Sequence, residues 1–198
     1  MDAYIFNHQS IKKYYSLKPI IVLDFKNSTN REQSFNVFHT RSLAKNVFFS
    51  VNYNILHSAG YFINEQTSHQ NVALTLSYYN KNSRYTSDVA YYWNALRTGE
   101  NGGVDTSSVY MDDVFLKNAE NKLHVSGAIF EQRFKIGRIN KQDTLTKRYA
   151  LQLNHTFHYQ RNFNLFSDQG PFAHYNAVFY DSLKTSDSLY YSIFSNDF

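Results

Sequence analysis

The 198-residue chain contains no cysteine, which excludes a disulfide scaffold, a thiol nucleophile, an iron–sulfur cluster and any cysteine-type zinc site. Only histidine and carboxylates remain as metal ligands. Proline occurs twice and glycine seven times, so collagen-like and Pro-rich linker classes drop out. No apolar run approaches the ~18 residues of a transmembrane helix; the longest is the short stretch from Pro19 to Leu23. The opening residues, MDAYIFNHQS, do not carry a basic segment leading into an apolar one, the mark of a secretory signal. The net charge is +4, but Lys and Arg are scattered among Asp and Glu instead of forming a stripe, so no nucleic-acid partner is expected.

What the chain has in excess is aromatic residues: 17 Tyr and 17 Phe against a single Trp, in a composition that is 42% hydrophobic. That is too apolar for a disordered chain, and the length suits one domain, residues 1–198. The dominant pattern is alternation with a period of two. Val47, Phe49, Val51, Tyr53 and Ile55 alternate with Ser50, Asn52 and Asn54. Val72, Leu74, Leu76 and Tyr78 are set against Asn71, Thr75 and Ser77, and Tyr85, Val89, Tyr91 and Trp93 against Thr86, Asp88 and Asn94. Leu123, Val125 and Ile129 form an apolar row interrupted at Gly127; Leu151, Leu153, Phe157 and Tyr159 alternate with Gln152, Asn154, Thr156 and His158. Weaker strands are expected around Ile20 to Lys26, Ser34 to Thr40, Phe172 to Tyr180 and Leu189 to Phe194. No cap followed by helical spacing is visible. The chain is therefore all-β, with roughly seven to nine strands.

A soluble sandwich and a membrane barrel can both use such strands, and charge placement separates them. A sandwich commonly decorates its wet face with Lys and Glu. Here the polar faces are mostly Asn, Ser, Thr and Gln, while charges crowd into connections such as Arg97 to Glu120 and Lys135 to Lys147. Tyr53, Tyr78, Tyr85, Trp93, Tyr149 and Tyr159 are expected near strand ends, where rings would sit at lipid headgroup level. Long connections at His57 to His69 and Thr98 to Asn121 contrast with a tight turn at Asn80 to Ser83, the asymmetry of an outer-membrane barrel. The connection at Lys26 to Arg31 is short where this scheme expects a long one. The expected fold is an antiparallel up-and-down transmembrane β-barrel.

Other motifs carry less. His155 and His158 are three apart, so a strand sends them to opposite faces and they cannot share an ion. His8-Gln9-Ser10 would put His and Ser on one face of an extended segment, but no third orienting group accompanies them. Glu100-Asn101-Gly102-Gly103 lacks the Lys-Ser or Lys-Thr of a phosphate cradle and is expected to be a loop turn. Asp112-Asp113 and the stretch from Asp181 to Asp187 lack the alternating acids and glycine of a calcium loop. No catalytic, cofactor-binding or metal residue is assigned, and no cofactor is expected.

Several short signatures in serial order do point to a family. Arg31-Glu32-Gln33-Ser34-Phe35-Asn36, Gly60-Tyr61-Phe62, Thr67-Ser68-His69-Gln70-Asn71, Asn82-Ser83-Arg84-Tyr85 and Glu100-Asn101-Gly102-Gly103 together resemble the putative porin family of Bacteroidota outer membranes. The resemblance implies a large β-barrel, a bacterial outer-membrane location and passive diffusion of small hydrophilic solutes without enzymatic chemistry. Members of that family are longer and carry an export signal, so the chain is expected to be a segment of a larger barrel, truncated at its N-terminus and also short of the family's C-terminal end. On this reading Ser50, Asn52, Asn54, Asn71, Thr75, Ser77, Thr86, Asp88, Asn94, Gln152, Asn154, Thr156 and His158 line the pore. Val47, Phe49, Val51, Val72, Leu74, Leu76, Val89, Tyr91, Leu151, Leu153 and Phe157 face lipid. Two rivals remain at this point: a β-sandwich binding carbohydrate through Tyr61, Phe62 and Tyr110, and an outer-membrane barrel enzyme.

Overall fold

A computed structural model of the chain describes residues 5–28, 31–80, 84–104, 113–138, 149–168 and 185–197. Eight strands follow one another: β1 Ile20–Asn27, β2 Gln33–Ala44, β3 Val47–Ser58, β4 Thr67–Tyr79, β5 Tyr85–Glu100, β6 Ala119–Arg138, β7 Tyr149–Asp168 and β8 Thr185–Asp197. No helix occurs among the described residues. All eight form one antiparallel sheet in the order β1 to β8, each strand paired only with its neighbours in sequence. Among the described residues the sheet is open, with β1 and β8 as its edges. The all-β, up-and-down expectation therefore holds, without barrel closure. Among the described residues there is no second leaf, which a sandwich requires, and Leu153 is 50% exposed. The expected strand at Phe172 to Tyr180 lies outside the described residues.

Alternation places strands well because each side chain must choose a face, and a one-residue slip would invert the whole row. In β4 the buried positions are His69, Asn71, Ala73, Thr75 and Ser77, while Leu76 and Tyr78 on the other face are exposed. Registered pairing carries that choice across the sheet. Val51, Leu74, Tyr91, Ala128, Tyr159 and Phe194 lie in one row of the open face, and Phe49, Leu76, Val89, Phe130 and Phe157 in the next. The apolar face is thus the bare one and the polar face the covered one, the reverse of a water-soluble sheet.

The apolar row of β6, Leu123, Val125 and Ile129, lies on the covered face, because Phe6 and Ile11 of the N-terminal segment pack there with Ala73, Ala90 and Tyr92. One expectation needs correction: Tyr53, Trp93 and Tyr159 are not at strand ends, since β3 runs on to Ser58, β5 to Glu100 and β7 to Asp168, and Tyr159 is level with Leu74 and Tyr91. The tight turn expected at Asn80 to Ser83 lies, but for Asn80, outside the described residues; the Asn80 amide donates to the Tyr85 carbonyl at 3.0 Å, and a two-residue turn at Lys45-Asn46 joins β2 to β3. There Asn46 takes φ 71°, a left-handed geometry that asparagine tolerates, and its carbonyl accepts from the Tyr79 amide at 2.9 Å.

At the opposite end of the sheet, residues 59–66 dock on the described ends of the β5 to β6 connection, residues 101–104 and 113–118. The Asn64 side-chain amide donates to the carbonyls of Glu100 (2.8 Å), Leu116 (3.2 Å) and Ala119 (2.9 Å), while its own backbone sits at φ 56°. The Glu65 carboxylate accepts from the amides of Tyr61 (2.8 Å) and Phe62 (2.9 Å). Asn64→Ala removes the donor and places alanine in left-handed geometry. It is expected to cost about 2 kcal/mol locally, seen as faster proteolysis within residues 101–118 and an unchanged far-UV spectrum.

Candidate functional site

All thirteen polar residues singled out from the sequence share the face that is covered over most of its extent, with Gln152 and Asn154 exposed toward one end of β7. Ser50, Asn52 and Asn54 come from β3, Asn71, Thr75 and Ser77 from β4, Thr86, Asp88 and Asn94 from β5, and Gln152, Asn154, Thr156 and His158 from β7. Cross-strand register sorts them into levels. Asn54, Asn71 and Asn94 are direct partners, extended by Asn36 on β2 and Asp24 on β1; beyond Val125 on β6 the same level continues with Asn162 on β7. Two levels away, past Asn52, Ala73 and Tyr92, the hydroxyls of Ser50 and Thr75 are hydrogen-bonded partners. Further along, Ser77, Asp88, Glu131 and Thr156 share a level.

What roofs this face was not legible in the sequence. Residues 5–18 cross it, touching the wall from β2 to β7. Asn94 clamps the backbone of Phe6 twice: its side-chain oxygen accepts from the Phe6 amide (2.8 Å) and its side-chain nitrogen donates to the Phe6 carbonyl (2.8 Å). Residues 7–10 then turn, with Asn7 Oδ1 accepting from the amides of Gln9 (3.0 Å) and Ser10 (2.8 Å). The expected extended geometry of His8-Gln9-Ser10 is therefore not adopted; Ser10 Oγ accepts from the Asn7 amide, and the His8 ring lies 4.9 Å from that of His158. Tyr14 packs on Phe38 (4.4 Å) and Tyr15 edge-on against Phe48 (5.6 Å). Lys13 Nζ is paired with Glu131 and lies 3.8 Å from Asp88.

The Tyr15 hydroxyl donates to Asp88 at 3.1 Å. Burial of that hydroxyl, and secondly the Asp88 carboxylate, push the phenol up to about 12, although the residue as a whole is 49% exposed. Tyr15 is thus a permanent donor at ordinary pH. Between the segment and the wall is a cavity of about 150 Å³ lined by residues that include Ile11, Tyr14, Ser50, Asn52 and Thr75. A larger one, about 420 Å³, lies toward the long connections and is lined by residues that include Asn27, Gln33, Asn54, His69 and Asn71.

Tyr92 is the second feature missed. Fully buried, its ring crosses β6 above Gly127, its direct cross-strand partner, to reach β7. There its hydroxyl donates to Gln160 Oε1 (2.7 Å) and meets His158 Nε2 (2.9 Å); Gln160 in turn donates to Asn162 (2.8 Å). The glycine that interrupts β6 is the signal that could have found it, since a strand glycine often marks a close approach. His155, by contrast, points to the open face and pairs with Asn196 at 2.8 Å, so the two histidines are separated as their spacing requires.

The remaining motifs are structural where described. Gly102 and Gly103 have φ of 67° and 98°; Asn101 accepts from the Gly103 amide through its side chain (3.0 Å) and from the Leu116 amide through its carbonyl (2.8 Å). Asp113 is paired with Lys117 at 2.7 Å. Tyr110, Asp112 and Asp181 lie outside the described residues, and Asp187 is in β8.

The sheet thus carries amides and hydroxyls on its covered face and a bare apolar row on the other. The family model described as Putative porin matches residues 1–198, and the chain belongs to that family. No curated protein and no solved structure gives a significant match.

Proposed function

We propose that this chain contributes the wall of an outer-membrane β-barrel channel through which small hydrophilic solutes diffuse passively. The observation that carries the reading is the inversion of the sheet: amides, hydroxyls and Asp88 are turned inward, while Leu76, Val89, Tyr91 and Phe157 are 39–46% exposed on the other side. In water such an apolar face is a liability; against lipid it is the required surface. Curvature supports closure. One short segment touches both β2, through Tyr14 on Phe38, and β7, through His8 on His158, strands that a flat sheet would hold five spacings or ~24 Å apart.

The mechanism is sieving by bore and lining, with no covalent step. Amide and hydroxyl side chains replace part of a solute's hydration in both donor and acceptor senses, and outer-membrane lipid is the partner of the open face. Membership of the porin family favours the same reading.

The test is reconstitution of detergent-purified protein into planar bilayers and into liposomes. Discrete conductance steps and swelling in isosmotic small sugars are expected. A water-soluble protein that ignores vesicles and leaves the bilayer silent would overturn the reading.

A further inference from the structure

Resting on the channel reading, we propose that residues 5–18 form the constriction of the lumen and that Lys13 sets its ionic preference by neutralising the acidic pair Asp88 and Glu131. Asp88 and Glu131 are direct cross-strand partners on β5 and β6, an arrangement in which like charges repel. Lys13, reaching over from the segment, is paired with both, and all three side chains are largely covered: 24% exposed for Lys13, 12% for Asp88 and 28% for Glu131. The cluster lies where the segment meets the wall, beside the 150 Å³ cavity that the flanking residues Lys12 and Tyr14 help to line.

The other charged and titratable groups do not duplicate the role of Lys13. Tyr15 donates its hydroxyl to Asp88 from the same segment. Arg133, two residues beyond Glu131 on the same face of β6, is a second cation at the rim of the cluster: its charge reaches Tyr15, but the side chain is exposed and is hydrogen-bonded to Asn154 (3.2 Å); Lys135 lies further along β6. Lys12 is exposed. Asp197 of β8 shares the level of Glu131 through Thr156 but is exposed at the sheet's edge. His8 and His158 sit together, with Ile129 between His158 and the Ala90 level of β5. Two carboxylates with one ammonium leave the cluster weakly acidic. Remove the ammonium and two bare carboxylates face the passage; remove the carboxylates and a lone cation does. A pore's ion preference follows such fixed charge at its narrowest point.

The experiment measures reversal potentials of the reconstituted full chain in a KCl gradient. Lys13→Gln is expected to raise the K⁺ to Cl⁻ permeability ratio by about tenfold. The double variant Asp88→Asn with Glu131→Gln should move it to the anion side, and Lys13→Arg should keep the wild-type ratio. A purely structural Lys13 would alter channel yield or steadiness and leave the ratio alone. The double variant supplies a prediction of opposite sign should Lys13→Gln fail to insert. Conducting channels with one common ratio would overturn the assignment, whereas a silent wild-type protein would overturn the channel reading beneath it.

Discussion

Leu74→Arg in β4 is expected to lower the stability of the membrane-inserted protein by about 2–4 kcal/mol, roughly 30- to 700-fold in the folded-to-unfolded ratio. Leu74 lies in the row with Val51, Tyr91 and Tyr159, near the middle of the apolar band that the proposed orientation gives to lipid. A guanidinium there must snorkel or drag water into hydrocarbon. The neighbouring Thr75 points the other way, so Thr75→Arg avoids lipid. It is nevertheless an imperfect control, because Thr75 is bonded to Ser50 under the N-terminal segment. Asn54→Arg, which faces the larger cavity, is the cleaner comparison and should cost under about 1 kcal/mol. The measurement is urea unfolding from lipid vesicles followed by Trp93 fluorescence. Equal losses at positions 74 and 54 would contradict the lipid orientation.

Gly127→Val is expected to be the most damaging change inside the lumen wall. A Cβ at this position would collide with the Tyr92 ring and come within 2.7 Å of the Tyr159 carbonyl oxygen. The ring has nowhere to retreat, since it is fully buried, and lifting it breaks its hydrogen bonds to His158 and Gln160. Overpacking and two lost buried bonds together amount to about 2–5 kcal/mol. The companion Tyr92→Ala removes the collision with the ring and leaves only the close approach to the Tyr159 carbonyl. If the collision is the cause, the double variant should be more stable than Gly127→Val alone, whereas strictly additive losses would point elsewhere.

The sequence makes the two faces legible for a simple physical reason. A strand offers only two directions, and residues such as Asn52, Asn54, Thr75 and Asn94 state theirs by alternation, so the covered face could be written down in advance. β6 defeats the same rule. Val125 and Ile129 form an apolar row like that of β4, yet they turn inward because Phe6 and Ile11 supply them with a greasy cover. That cover comes from a segment with no alternation of its own, whose anchors are 88 residues away at Asn94 and 118 away at Glu131; local pattern carries no trace of so distant a pairing. Asn36 and Asn162 were reachable by extending the alternation of β2 and β7. The docking of Asn64 was not, because irregular connections have no period from which a direction can be inferred.

Because each strand pairs solely with the strands before and after it in the chain, the sheet is a meander with no crossover. Excising or duplicating one hairpin would leave every other pairing intact, with no rethreading. The architecture is therefore modular: under the proposed channel reading, gene duplication two strands at a time would widen the wall while keeping the chemistry of its polar face.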